Sequence, residues 1–282
     1  MSTVTAIKNR ESIDTIAIGG FDGMHIGHQH LFAKLGDNGA VVVIENGSAN
    51  LTPGRERERF CKHQVFYYLL DSIRHLDGAE FIAMLQQEFP NLKRIVVGYD
   101  FHFAKDRKSS HEALKTLFKG EVIVIDEVML HGDSVHSHKI RSRLLQGDIV
   151  GANAFLGHNY TISGARVSGQ GIGHKALYAT LNLEVKDYLI PKEGVYVTLT
   201  RIDDEEHFHP SVSFIGHRVT TDGSFAIESH ILDGLVTCNA RATISFINFI
   251  RENEKFVSLE MLKKAIEKDI ALAQKELDHR LL

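Results

Sequence analysis

Two histidines near the start of the chain, His25 and His28, flank Gly27 in the string GGFDGMHIGHQ. An apolar run precedes this string and a helical pattern follows it, which predicts a strand, a glycine-rich turn and a helix. Such a turn presents free backbone N–H groups and the positive end of a helix, so it can hold a phosphate. Gly27 would let a ligand approach the backbone closely, and the two imidazoles could donate hydrogen bonds to it. The pattern therefore predicts a phosphate site, with a plain strand–glycine–helix turn as the alternative.

The same string resembles the signature of the HxGH nucleotidyltransferase superfamily. It is most similar to the FMN adenylyltransferase branch, which is the N-terminal half of bacterial bifunctional riboflavin kinase/FAD synthetase. The resemblance implies that His25 and His28 are catalytic residues in the transfer of AMP from ATP to FMN, which yields FAD. It also implies that the turn binds nucleotide through Gly19, Phe21, Asp22, Gly23 and Gly27.

A second segment, VGYDFHFAKDRK, resembles the family's VGxDFxFG element, with Ala104 in place of its last glycine. In the family this element lines the nucleotide pocket, so the resemblance implies that Asp100 and Phe101 bind the nucleotide. The alternative from the residues themselves is a strand end followed by an acid that caps a helix.

A third segment, HSHKIR, occupies the place of the family's SSTxIR element. Ser137 and Arg141 match that pattern, whereas His136 and His138 replace a serine and a threonine. The resemblance implies that Ser137 binds nucleotide and that Arg141 is catalytic, because a planar guanidinium suits a clamp on ATP phosphates. The family's TFxPHP element is not recognisable in the expected place, residues 43–48.

The elements that must position these residues alternate between strands and helices, which is typical of a doubly wound parallel sheet. The predicted strands cover residues 15–18, 40–44, 93–101 and 122–125. The predicted helices cover residues 28–35, 60–73, 79–89, 110–118, 138–146 and 148–156. In such sheets ligands bind beyond the carboxyl ends of the strands, where the candidate residues lie.

Beyond residue 157 the pattern changes to short β-type runs separated by glycines, which predicts a small antiparallel barrel. These runs cover residues 161–163, 165–167, 195–202, 212–215, 225–232 and 242–249. An amphipathic helix capped by Ser258 should follow and pack on the barrel. We therefore expect a Rossmann-like α/β HxGH nucleotidyltransferase domain at 1–157. A small antiparallel β-barrel with a C-terminal helix should occupy 158–282.

The second half resembles bacterial riboflavin kinase through LGHNYTISGARVSGQGIG, ATLNL, AIESHILD and RENEKF. The resemblance implies that Thr180 binds Mg²⁺ of Mg-ATP, with Asn182 beside it, and that Glu228 is the catalytic base. The residues alone favour a different interpretation, in which Glu228 is an outward-facing residue of a strand, and the match of the flanking residues to the family reverses that preference. The family's pattern is not kept throughout, because His174, Leu177 and Ala179 replace an arginine, a glycine and a proline, and Leu181 an alanine.

Composition limits the classes of partner. The chain has 282 residues and a net charge of −4, from 32 basic and 36 acidic residues without a long run of one sign. This balance disfavours a nucleic-acid partner or a polybasic membrane surface. No apolar run is long enough to cross a bilayer, and no signal peptide is visible. Cys61 and Cys238 form no metal or redox motif, so we expect a reduced, cytoplasmic protein without an obligate protein partner.

Histidine is frequent, with 17 residues, and three pairs have i, i+2 spacing: His28/His30, His136/His138 and His207/His209. On a strand this spacing places both rings on one face, where they could bind a transition metal. No cysteine or acidic ligand cluster is expected beside any pair, so the pairs do not predict a dedicated metal site.

These resemblances together imply an enzyme of FAD biosynthesis that phosphorylates riboflavin to FMN and adenylylates FMN to FAD. Its cofactor would be Mg²⁺, and ATP, riboflavin and FMN its substrates. Three alternatives remain at this point: an adenylyltransferase with an inactive kinase domain, a transferase of AMP to another acceptor, and a non-catalytic flavin-binding regulatory protein.

Overall fold

The computed structural model describes residues 9–105, 109–168, 179–220, 222–234 and 237–281. The chain divides into two compact units, and the boundary between them lies between Ser137 and His138. The functional boundary predicted after residue 157 stays a prediction, and the chain between His138 and that boundary belongs to the second unit. His174 and Leu177, where the kinase motif departs from its family, lie outside the described residues.

The first unit is an α/β layer structure. Its strands are β1 (Thr15–Gly19), β2 (Gly39–Glu45), β3 (Gln64–Leu69), β4 (Arg94–Gly98), β5 (His102–Phe103), β6 (Ser109–Ser110), β7 (Glu121–Ile125), β8 (Met129–Leu130) and β9 (Asp133–Ser134). Its helices are α1 (Ile26–Phe32), α2 (Leu70–Ile73), α3 (Gly78–Glu88) and α4 (His111–Leu117), with 3-10 turns at Arg10–Ser12 and Gly54–Phe60. The main sheet is parallel, in the order β3-β2-β1-β4-β7, and β5-β6 and β8-β9 form two short antiparallel pairs.

The central strands are buried on both faces, as their continuous apolar runs predict. Ile16 and Ile18 of β1 belong to the core on one face of the sheet, and Ala17 belongs to the core on the other. The helix α3 begins with a capping box in which Asp77 and Glu80 bind each other's backbone N–H groups. This arrangement confirms the predicted Rossmann-like parallel sheet.

The predicted helix at 60–73 is wrong over most of its length. Residues 64–69, with the sequence QVFYYL, form β3 and pair in parallel with β2. Aromatic and β-branched residues favour a pleated, half-buried surface, and the edge of β2 supplies the backbone partners that a helix would otherwise provide. Only Leu70–Ile73 is helical.

The second unit begins with two helices and continues as a barrel. Helix α5 (Ser137–Gln146), which starts at the last residue of the first unit, and helix α6 (Ile149–Leu156) precede strands β10 (Thr161–Val167), β11 (Leu181–Val185), β12 (Gly194–Ile202), β13 (His209–His217), β14 (Phe225–Ile231) and β15 (Arg241–Glu252). The closed barrel has the order β10-β11-β14-β13-β12-β15, which confirms the predicted architecture. The runs at 161–163 and 165–167 are one continuous strand, β10.

The C-terminal helix α7 (Leu259–Leu281) covers one outer face of the barrel. Its Ala273 and Leu277 pack with Val195 and Val197 of β12. Ser258 Oγ accepts a hydrogen bond from the N–H of Met261, so the predicted cap is present. No helix in the described part of the chain has the length and apolar character needed to span a membrane.

The barrel interior holds a network of buried hydroxyls rather than an entirely aliphatic core. Thr198 Oγ1 lies 2.8 Å from Ser211 Oγ and 2.8 Å from Ser213 Oγ. Thr200 Oγ1 lies 2.9 Å from Ser211 Oγ and 2.7 Å from Ser229 Oγ. A hydroxyl both donates and accepts, so these side chains serve as hydrogen-bond partners for one another.

Candidate active sites

The first candidate site lies in the turn between β1 and α1, beyond the carboxyl end of β1. His25 is the N-cap of α1, and its Nδ1 accepts a hydrogen bond of 3.4 Å from the N–H of His28. The two imidazoles stack with their centroids 3.5 Å apart and their planes 19° from parallel. The structure therefore brings the predicted pair together at the start of α1, where the free backbone N–H groups of the helix also lie.

At two positions of the turn a side-chain ring packs so closely on the backbone that glycine is favoured there. A Cβ on Gly19 would lie 3.0 Å from the ring of Phe21, and a Cβ on Gly27 would lie 3.1 Å from the ring of His25. The turn also uses left-handed backbone conformations, with φ of 49° at Phe21, 46° at Met24 and 86° at Gly23. Phe21 and Met24 therefore hold strained backbone conformations within the candidate site, as residues of functional turns often do.

Asp22 anchors this turn to the loop after β2. Its buried carboxylate accepts hydrogen bonds from the N–H groups of Leu51, at 2.9 Å, and Thr52, at 3.0 Å. Thr52 Oγ1 in turn accepts a 2.8 Å hydrogen bond from the N–H of Gly23, and Ser137 Oγ donates one of 2.8 Å to the Asp22 carbonyl. In these contacts Asp22, Gly23 and Ser137 hold the shape of the turn.

The electrostatic environment keeps His28 neutral. Burial lowers the pKa of His28 well below its usual range, and the neighbouring His25, Arg57 and His136 lower it further. The Nδ1 atom of His28 is buried and makes no hydrogen bond. Arg57 itself is buried, with Nη1 2.6 Å from Glu45 Oε2 at the end of β2. A buried polar atom without a partner is costly, so a ligand that supplies the partner would be favoured here.

The second candidate site lies on neighbouring barrel strands. Asn182 of β11 is paired directly with Glu228 of β14, and Thr180 lies two residues before Asn182, on the same face. Thr180 Oγ1 donates a 3.4 Å hydrogen bond to Glu228 Oε2. The three residues predicted to serve phosphoryl transfer therefore meet on one patch.

Arg218, which follows β13, links the members of this patch. Its Nε donates to Glu228 Oε1 at 2.7 Å, and its Nη2 donates to Asn182 Oδ1 at 2.7 Å. Its Nη1 donates to Ser224 Oγ at 2.8 Å. The fork of the guanidinium thus fixes the relative positions of the carboxylate and the amide.

Known proteins resemble this chain over nearly its whole length. A family model described as riboflavin kinase (Flavokinase) matches residues 156–277. A bifunctional riboflavin kinase/FMN adenylyltransferase of Pseudomonas fluorescens is 30% identical over 284 residues, which covers 91% of this chain and 91% of that protein. The chain belongs to the bifunctional riboflavin kinase/FMN adenylyltransferase family.

Other members of this family match over similar lengths. The protein of the same name from Listeria monocytogenes is 29% identical, covering 90% of this chain and 89% of that protein. The one from Mycoplasma pneumoniae is 30% identical, covering 93% and 96%. A crystal structure titled "Macrolide-efflux Protein from Streptococcus pneumoniae" has the same fold. Its TM-score is 0.82 at 26% identity, over 95% of this chain and 97% of that chain.

The remaining three predicted residues of this member of the family have the following places in the fold. Asp100 is exposed just beyond β4. Phe101 stacks on Phe103, with centroids 5.6 Å apart, and packs against the core on one face of the sheet. Arg141 is on α5 in the second unit, so its predicted role at the ATP phosphates stays a prediction.

Sequence reasoning missed a polar cluster at the same carboxyl edge of the sheet. Glu127 Oε1 accepts hydrogen bonds of 2.9 Å from the hydroxyl of Tyr99 and 3.1 Å from His136 Nε2. The hydrogen bonds from His136 and then from Tyr99 lower the pKa of Glu127. Tyr99 follows β4 and Glu127 follows β7, so the rule that ligands bind beyond strand ends could have found both.

Arg218 was missed as well. It lies 36 residues from Asn182 and 10 from Glu228, and no local pattern marks it. The signal that could have found it is the hairpin of β13 and β14, which returns the chain beside Glu228.

Proposed function

We propose that this chain makes FAD in two steps, phosphorylating riboflavin to FMN in the barrel and adenylylating FMN in the α/β unit. The observation that carries the proposal is that one chain assembles both the stacked His25/His28 pair and the Thr180–Asn182–Glu228 patch. Full-length relatives named for both activities support it.

The adenylylation step requires no nucleophile from the protein. An oxygen of the FMN phosphate attacks the α-phosphorus of ATP, a new P–O bond forms, and pyrophosphate leaves. The protein must orient the two reactants and stabilise the charge that develops on the phosphates. A neutral His28 is suited to this task as an N–H donor, and the N-terminus of α1 adds a favourable dipole.

The kinase step requires a base, because a primary alcohol is a weak nucleophile. Glu228 accepts the proton of the riboflavin hydroxyl as that oxygen attacks the γ-phosphorus of ATP, and ADP leaves. Arg218 acts as a positioning residue, since it holds the Glu228 carboxylate and the Asn182 amide in one arrangement. Thr180, which directly precedes β11, completes the patch.

The donors on this patch fit Mg²⁺, which prefers hard oxygen ligands. The Thr180 hydroxyl would hold the ion, either directly or through water, with Asn182 beside it. When bound, Mg²⁺ would supply positive charge that neutralises the charge developing on the transferred phosphate. The residues that the structure describes here supply oxygen donors and no sulfur or imidazole ligand within the patch itself.

A second candidate is an FMN adenylyltransferase whose barrel no longer phosphorylates riboflavin. Leu177 and Ala179 favour it, because they replace a glycine and a proline of the family's pattern. The carbonyl of Ala179 accepts a 2.8 Å hydrogen bond from His230 Nδ1, so this part of the segment is held on β14 despite the change. Glycine and proline shape a loop but supply no reacting group, so the kinase step should persist.

Incubating the full chain with riboflavin and Mg-ATP, then separating the flavins, tests the proposal. We expect FAD from the wild type and FMN alone from the variant that combines His25→Ala with His28→Ala. Glu228→Gln should form no FMN from riboflavin but should still convert added FMN to FAD.

Two matched controls accompany these variants. His30→Ala changes an exposed histidine of the same helix, and Glu184→Gln changes an exposed glutamate of β11. Both should behave as the wild type. Formation of FAD from FMN without any FMN from riboflavin, in folded wild type, would favour the second candidate, and neither product would indicate a flavin-binding protein.

We also propose that this enzyme is cytoplasmic and that its partners are small molecules. Free thiols at Cys61 and Cys238 are consistent with a reducing compartment.

A further inference from the structure

The turn between β12 and β13 and the first residue of β13 gather two histidines and a glutamate at the end of β13 opposite Arg218 and the candidate kinase site. Glu205, His207 and His209 each place a ligand atom within 4.8 Å of the others. The sequence-based expectation that no acidic ligand accompanies this histidine pair is wrong. Glu205 lies two residues before His207, and the turn folds its carboxylate back towards both rings.

The distances within this cluster match the spacing of metal ligands. Glu205 Oε2 lies 2.9 Å from His209 Nε2 and 3.7 Å from His207 Nε2. Ligands of a tetrahedral Zn²⁺ ion at about 2.0–2.1 Å from the metal are about 3.3 Å from each other. The two distances fall on either side of this value, so a small side-chain adjustment would bring the three atoms around one ion.

Asp233, just after β14, supplies the contact that a metal-binding imidazole needs. Its Oδ2 lies 3.2 Å from His209 Nδ1, on the side of the ring opposite Glu205. Metal-bound histidines commonly donate their second ring N–H to a carboxylate, which fixes the tautomer and the orientation of the ring. With Nδ1–H donated to Asp233, the Nε2–H of His209 faces Glu205 Oε2, and a bound ion would take the place of that proton between the two ligand atoms.

We propose that Glu205, His207 and His209 form a binding site for a borderline divalent transition metal such as Zn²⁺, with Asp233 orienting His209. Two imidazoles and one carboxylate select such ions over Mg²⁺ and Ca²⁺, which prefer all-oxygen sites. Three protein ligands leave a fourth position for water or another ligand. The His207 side chain is 68% exposed, so an ion can reach the site from solvent.

The number of potential metal ligands distinguishes this cluster from an ordinary histidine–carboxylate pair on the same barrel. His217 and Glu193 also form a close pair, with Nδ1 2.9 Å from Oε1. Among the residues that the structure describes, however, a group of three such ligands that includes a second imidazole is found only at 205–209. His217 therefore provides a matched control, because its loss removes a histidine–carboxylate pair without touching the proposed site.

The experiment is a titration of tag-free full-length protein with CoCl₂ and then with ZnCl₂, without nucleotide or flavin. Visible Co²⁺ absorption reports coordination by nitrogen and oxygen ligands, and calorimetry gives the stoichiometry. We expect one ion to bind to the wild type and to His217→Ala. The ion should be lost in His207→Ala and His209→Ala, and Asp233→Ala should weaken it by about 10- to 100-fold.

Equal affinity in the wild type and in His207→Ala would overturn the site, as would the absence of a bound equivalent in the wild type. Because His207 is exposed, its replacement should leave the fold intact, which a melting curve checks. His207→Ala therefore decides the question even if His209→Ala fails to fold.

Discussion

Replacing Arg218 by methionine should strongly reduce riboflavin phosphorylation while leaving FMN adenylylation unchanged. The guanidinium makes two charge-assisted hydrogen bonds within the patch, each 2.7 Å long, to Glu228 and Asn182. A hydrogen bond to a charged group contributes about 1.5–3 kcal/mol, so the loss of both should cost about 3 kcal/mol or more. If that cost falls on the transition state, kcat/KM for riboflavin should fall by about 150-fold.

Arg218→Lys separates the charge from the geometry. A lysine ammonium keeps the positive charge but cannot reproduce the planar fork that reaches both partners. Loss of one contact should lower kcat/KM by about 10-fold or somewhat more. Ser224→Ala is the matched control, because it removes the third contact of Arg218 and leaves the two patch contacts in place.

The assay measures FMN formed from riboflavin and, on the same preparation, FAD formed from added FMN. The second rate reports that the chain is folded, so a change confined to the first rate locates the effect in the barrel. A methionine variant that phosphorylates riboflavin at the wild-type rate would refute the positioning role of Arg218. Equal losses in Ser224→Ala and Arg218→Met would show that the hairpin, rather than the patch contacts, had been disturbed.

Three further outcomes follow from individual contacts. Because the pKa of folded His28 is lowered well below its usual value, its NMR signals should not titrate between pH 6 and 8. The unfolded chain binds a proton there below about pH 6.5, so stability should fall as pH decreases, by up to about 1.4 kcal/mol per pH unit, and His28→Gln should remove this slope. Arg57→Met should leave the partly buried Glu45 carboxylate without its ion pair and lower the free energy of unfolding by about 3–5 kcal/mol, whereas exposed Arg55→Met should change it little in urea denaturation. Ala104 has φ of +64°, so Ala104→Gly should raise the melting temperature by removing left-handed strain of about 1–2 kcal/mol, reduced by the greater chain entropy of glycine; an unchanged or lower melting temperature would contradict this.

The architecture followed from hydrophobic periodicity, because buried parallel strands and a closed barrel leave different apolar patterns. The exception is β3, where the spacing of Phe60, Tyr67 and Leu70 imitated a helix. Its strand conformation depends on pairing with β2, a contact distant in sequence that local patterns do not contain.

The candidate site residues were predictable where a short motif carries them. His25 and His28 are one turn apart, so their proximity follows from the helix that they begin. Arg218 and Asp233 could not be predicted in the same way, because each approaches its partner only through the pairing of β13 with β14. Short motifs therefore single out residues that are close in sequence more readily than residues that strand pairing brings together.

The sheet of the first unit is open and has edge strands, whereas the sheet of the second unit is closed. This difference has a consequence for association between molecules. The barrel closes on itself, whereas β3 is the last strand at one end of the parallel sheet in the described chain. Its sequence, QVFYYL, carries no charge, a combination that favours pairing with a strand of another molecule. Arg10 lies over this strand, with its guanidinium carbon 4.8 Å from the centroid of Phe66 and Nη1 3.1 Å from the hydroxyl of Tyr68. Arg10, which also pairs with Glu88, thus places charged side chains beside an otherwise uncharged strand, and charge near an edge disfavours pairing with a strand of another molecule.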